Sequence, residues 1–344
     1  MKQTRIILLI VLLSVSAGLT AAEPIQIVTT LTDYASIAQA IGGDRVNVQS
    51  IMTGTADPHF LKPKPSYALM LRDADLFVAT GLDLELWAPV VVNKSGNRSI
   101  VDGSTGYVSA SHGITMKQVP TSLSRTGGDI HALGNPHIMT SPINAKTVAT
   151  NITTGLCKVD ASGCDVYKKG LESFRNEISL RLYGAELIEL LGTETLDALA
   201  RNGRLVPFLE EKGMTDRLGG WLGDGMVFRG KNVICYHKNW IYFTSLFGLN
   251  EVAYVEPKPG IPPNPRHVAK LIDRIDKENL EVLLTANYFE KRKPEQIAER
   301  TGIVAVIAPL ATGGETGIDT YFDLVDTWVH RLQHAFTHST GEQH

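Results

Sequence analysis
The chain has 344 residues, 43% of them hydrophobic and 20% charged, with 33 basic and 36 acidic side chains for a net charge of −3. That near-balance gives no support to nucleic acid or an anionic membrane surface as a partner, and the length suggests two domains. Three cysteines are too few for a disulfide scaffold.

Taken in chain order, Lys2 and Arg5 precede an apolar run from Ile6 to Leu13 and small residues ending at Thr20-Ala21-Ala22. This is the pattern of a secretory signal peptide over residues 1–22. Its apolar core is too short for a membrane span, which needs about 20 residues. No cysteine stands near the cleavage point, so we expect an exported periplasmic protein without a lipid anchor. Loss of Lys2 and Arg5 takes the net charge to near −5. Export permits a disulfide. Cys157 and Cys164 are close enough in sequence to bridge, the alternative being two free thiols. Cys235 would then remain as a buried thiol or, less simply, a thiolate ligand.

From residue 23 to 160 we expect a first α/β lobe. Ile25–Thr30, Val46–Met52, Leu76–Thr80 and Ile100–Val101 read as strands. Tyr34–Ile41, Pro65–Arg72, Leu84–Val92 and Ile143–Cys157 read as helices. Residues 103–134 are rich in Gly, Ser and Thr and read as loop. In Val166–Leu191 the apolar residues Leu171, Phe174, Ile178 and Leu182 run at helical steps. We expect one long rigid linking helix over residues 161–191. Residues 192–229 fit neither lobe and read as an insertion. Residues 230–344 repeat the alternation: strands at Asn232–Tyr236, Glu251–Val255, Glu281–Thr285 and Val304–Ile307, and a closing helix at Tyr321–Phe336. The fold class is therefore α/β, in two lobes, each a parallel sheet flanked by helices.

Four segments carry chemistry: Asp57-Pro58-His59, Asn135-Pro136-His137, Cys235-Tyr236-His237 and Asp319-Thr320-Tyr321. Each lies just after a predicted strand or before a helix, where open α/β sheets bind ligands. Three imidazoles and a carboxylate suit a borderline divalent ion. Each alone has a simpler reading, a hydrogen-bonded loop histidine or, for Asp319, a helix N-cap.

These motifs, with Gly81-Leu82-Asp83-Leu84-Glu85-Leu86-Trp87 between the first two, resemble the solute-binding proteins of bacterial metal-uptake ABC transporters, which take up zinc, manganese or iron. The resemblance covers nearly all of the chain beyond the leader. It implies two lobes joined by a rigid helix, with metal held between them by His59, His137, His237 and Asp319. It also implies an inner-membrane ABC permease as partner and no enzymatic activity; we expect a monomer. A histidine at position 237, where manganese-preferring members commonly carry a carboxylate, favours zinc as the bound ion, with manganese or iron as alternatives. The chain departs from the family in two places. Residues 103–134 hold only His112 and His131, where zinc-specific members often carry a His- and acid-rich loop; His131 is at most an accessory ligand. The segment 192–229 has no counterpart. A zinc hydrolase with three histidine ligands and Asp319 as base is the rival class, and a surface adhesin a third. His330, His334 and His338 lie on one stripe of the last helix, either a solvated face or a weak surface metal site.

Overall fold
A computed structural model describes residues 23–121, 131–258 and 260–338. The signal peptide expected over residues 1–22 lies outside these. The first lobe is a parallel sheet built from β1 (Ile25–Thr29), β2 (Val46–Ser50), β3 (Leu76–Ala79) and β4 (Tyr107–Ser109), in the order β2-β1-β3-β4. The second repeats the plan with β5 (Asn232–Cys235), β6 (Asn250–Tyr254), β7 (Val282–Ala286) and β8 (Val304–Ala308), ordered β6-β5-β7-β8. Both sheets are parallel throughout. In each, the first strand in sequence lies inside the sheet, so the chain turns one way and then the other and opens a ligand crevice at the carboxyl ends.

Strand alternation places the core. In the first lobe Ile27, Leu76 and Val78 enter one apolar cluster, whereas Val28, Phe77 and Ala79 enter another on the opposite face. In the second, Val233, Cys235, Val282 and Leu284 face the large cluster, while Ile234 and Leu283 face a third. The large cluster runs without a break from one lobe to the other. Cys235 is fully buried, and burial pushes its thiol well above the usual range, so it packs as an apolar residue.

The helices of the first lobe are α1 (Thr32–Gly42), α2 (Pro65–Arg72), α3 (Ala88–Ser95) and α4 (Pro142–Val159). The expected strand at Ile100–Val101 is instead a 3-10 turn over Arg98–Ile100, and the fourth strand comes later, inside the stretch read as loop. Cys157 and Cys164 are bridged. The bridge joins α4 to α5 (Cys164–Tyr183), which at 20 residues is about 30 Å long.

α5 touches both lobes. Phe174 packs on Phe322 at 5.3 Å, and Arg181 pairs with Asp326 at 2.7 Å. It stops earlier than expected: Gly184 takes a φ of +78°, a conformation glycine adopts freely. Shorter helices follow, α6 (Ala185–Leu191), α7 (Thr193–Arg201), α8 (Leu205–Lys212) and α9 (Gly220–Asp224). The extra segment is thus helical and packed, tied down by a buried cation. Lys146 Nζ of α4 donates to Asp197 Oδ1 at 2.7 Å and to Ser179 Oγ at 2.7 Å, and Tyr183 Oη donates to Asp197 Oδ1 at 2.7 Å. The second lobe adds α10 (Ile241–Phe247), α11 (Pro265–Glu278), α12 (Arg292–Thr301) and α13 (Tyr321–His338). Among the described residues, no helix is long and apolar enough to cross a membrane.

Candidate metal centre
His59 lies in the loop after β2, in a 3-10 turn that Asp57 caps by accepting from the His59 backbone N–H at 3.0 Å. The same carboxylate oxygen lies 2.7 Å from His59 Nδ1. A carboxylate only accepts, so Nδ1 carries a proton, and in the neutral ring the lone pair is then on Nε2. Trp87 Nε1 donates to Pro58 O at 2.9 Å, which holds the loop in place. The segment Gly81–Trp87 therefore serves the first histidine from behind. Its Glu85 is buried and accepts from the hydroxyls of Thr30 and Thr80 at 2.6 Å each, knitting the ends of β1 and β3 together.

His137 lies just before α4. Asn135 Oδ1 accepts its backbone N–H at 3.0 Å. The amide nitrogen of Asn135 donates across to Lys238 O at 2.6 Å, and Tyr242 Oη donates to Asn135 O at 2.6 Å. One asparagine thus joins the loop of His137 to that of His237. The His137 ring is buried, and its Nε2 meets no hydrogen-bond partner in the protein. Burial first, and the neighbouring histidines second, hold its pKa well below 6.5, so the imidazole is neutral at neutral pH. His237 follows β5, and its Nδ1 lies 2.6 Å from Glu256 Oε2. The tautomer is fixed as for His59, and Nε2 is left as the donor.

His131, expected at most as an accessory, joins the cluster directly. Its Nε2 is 3.2 Å from that of His59, and His59, His131 and His137 each offer a ligand atom within 4.8 Å of the others. The ring of His237 stands 5.7 Å from those of His59 and His137. The first lobe thus supplies three imidazoles and the second one. A turn closed by Gly134 N–H on His131 O brings the residue back toward His137.

Asp319 is not brought to the histidines. It is exposed, and lines a groove with Gln39, Phe174 and Phe322. The next residue, Thr320, makes the helix cap: its hydroxyl accepts from Asp323 N–H at 3.2 Å, and Asp323 Oδ2 accepts from Thr320 N–H at 2.8 Å. Besides Asp57 and Glu256, a third carboxylate lies near the site: Asp33, at the start of α1. It shares a cavity of about 40 Å³ with His137, and accepts the Thr312 N–H of the other lobe at 2.8 Å. Burial raises its pKa to about 7.

A cluster of imidazoles backed by two carboxylates, set where the loops of two α/β lobes meet, defines a two-lobed receptor for a small cation. The comparisons place it further. The family described as zinc-uptake complex component A, periplasmic (ZnuA), matches residues 27–180 and 221–335, and the chain belongs to that family. The match leaves out 181–220, which covers most of the segment read as an insertion. The iron-binding protein YfeA of Yersinia pestis is 26% identical over 92% of this chain and 87% of its own length. The high-affinity zinc uptake protein ZnuA of Bacillus subtilis is 23% identical over 80% of this chain and 74% of its own. Among solved structures, the manganese complex of FpvC from Pseudomonas aeruginosa superposes with a TM-score of 0.68 at 20% identity, covering 92% of this chain and all of that one. A crystal structure of ZnuA gives 0.67 at 20% identity, covering 91% of this chain and all of that one. At such identity these two establish the fold.

Proposed function
We propose that the protein binds a divalent transition metal, zinc before manganese or iron, through His59, His131, His137 and His237, and delivers it to an ABC permease. The observation that carries this reading is the convergence of four imidazoles, two of which, His59 and His237, turn Nδ1 to a carboxylate and Nε2 toward the others. Nitrogen donors in a tetrahedron suit zinc, whereas manganese favours oxygen and higher coordination. The carboxylates of Asp57 and Glu256, each behind one ligand, balance the charge of the bound ion without entering its shell. Four protein ligands fill a zinc tetrahedron and leave no open position for the water of a hydrolase. We further propose that residues 1–22 direct export to the periplasm, where the family is placed by its description.

Competition titration of the metal-free protein with zinc and manganese, against a chelating dye, tests the reading. We expect preferential zinc binding that His59→Ala/His237→Ala abolishes. Preference for manganese, or unchanged binding by the double variant, contradicts it.

A further inference from the structure
Three histidines of α13 are unused by the inter-lobe site. His330, His334 and His338 follow at four-residue steps on one helix face, and all three are exposed. The rings of His334 and His338 stack with centroids 4.0 Å apart and planes 17° from parallel. Two imidazole nitrogens that each hold one ion at about 2.0–2.1 Å can be at most about 4.2 Å apart. The stacked rings place the two imidazoles one turn apart on the same face, so that side-chain rotation alone, without a change of backbone, turns a nitrogen of each toward one ion. A second observation concerns the tautomer. Nδ1 of His338 lies 2.9 Å from His334 O. A carbonyl only accepts, so Nδ1 is protonated and Nε2 keeps its lone pair. Ligating histidines commonly hand their other N–H to a carbonyl or carboxylate in this way. The opposite face of the helix buries Trp328, Leu332 and Phe336, so the pair stands on a fixed support.

We propose that His334 and His338 form a second, surface site for a borderline divalent ion such as zinc. Water fills the positions that the protein leaves open, so this site binds more weakly than the inter-lobe one and exchanges its ion readily.

Calorimetric titration of metal-free full-length mature protein with zinc alone tests this. We expect a tight and a weaker class of site. His334→Ala/His338→Ala should lose the weaker class and keep the tight class at unchanged affinity, with an unchanged helical circular dichroism spectrum. His59→Ala/His237→Ala should do the reverse. A single class that survives His334→Ala/His338→Ala, or a weaker class that persists in it, overturns the proposal and leaves the inter-lobe reading standing. A tight class that survives His59→Ala/His237→Ala overturns the inter-lobe reading instead.

Discussion

Nε2 of His59 lies 3.2 Å from Nε2 of His131. Two nitrogens bound to one tetrahedral zinc at about 2.05 Å stand about 3.3 Å apart, so the pair is already at the spacing of a tetrahedral edge. The carboxylate of Asp57 holds the proton of His59 on the far nitrogen, which leaves the near one for an ion.

On the proposed reading, this spacing puts His131 among the principal ligands. We expect His131→Ala to weaken zinc binding at least as much as loss of a supporting residue does, about 10–100-fold, whereas Asp319→Ala leaves it unchanged. Dye-competition titration of the two variants checks this. Equal losses would return Asp319 to the site.

The carboxylates behind the ligands should matter without touching metal. Glu256→Gln and Asp57→Asn each remove the acceptor that fixes a tautomer, and each should cost about 10–100-fold in zinc affinity while the melting temperature of the metal-free protein moves little. A loss of stability in place of affinity would assign them a purely structural role.

Asp33 sets a pH dependence for the metal-free protein. Its folded pKa is raised from 3.8 to about 7 by burial, so between those values the folded state holds a proton that the unfolded state does not. This contribution therefore favours folding at the acid end of the window and falls away as pH rises through about 7. His137 acts oppositely: its folded pKa is depressed, so its contribution is present above 6.5 and is lost as pH falls below. Asp33→Asn should stabilise the metal-free protein at pH 8, with the gain vanishing toward pH 4. Denaturant melts of both proteins across this range measure it; a gain independent of pH would show that Asp33 is ionised throughout.

The ion pair between Lys146 and Asp197 fixes the helical segment outside the family match. Both side chains are buried. Removing one partner strands the other charge and typically costs about 3–5 kcal/mol. Lys146→Met should therefore lower the unfolding free energy by about that amount, and Lys146→Met/Asp197→Leu by less. Urea unfolding of the single and double variants is the check; equal losses would mean that packing, not the stranded charge, dominates.

Much of this was legible in sequence because strand alternation and helix spacing are local. Seven of the eight strands follow apolar runs bounded by turn residues, and these are the ones the sequence placed. β4 has only three residues in a Gly- and Ser-rich stretch, too short for alternation to register. The long linking helix was extended past Gly184 because few breakers follow Leu182, and Gly184 alone does not announce a stop; a second short helix resumes at once over Ala185–Leu191. The convergence of His59, His137 and His237 was legible because each follows a strand or precedes a helix at a fixed place. That His131 lies beside the other histidines and Asp319 does not was hidden for a single reason: loop closure is not local. The His131–Gly134 turn folds that histidine inward, while the cap formed by Thr320 and Asp323 leaves Asp319 at the surface. One signal pointed to His131, its position six residues before His137 within one loop.

The measurement that bears most directly on the central claim is X-ray absorption at the zinc edge of the mature protein loaded with one equivalent of metal. The account predicts a four-coordinate, all-nitrogen shell at about 2.0–2.1 Å with the outer-shell scattering of imidazole rings, reduced by one ring in His131→Ala. A shell rich in oxygen, a coordination number of six, or a spectrum unchanged in His131→Ala would contradict it.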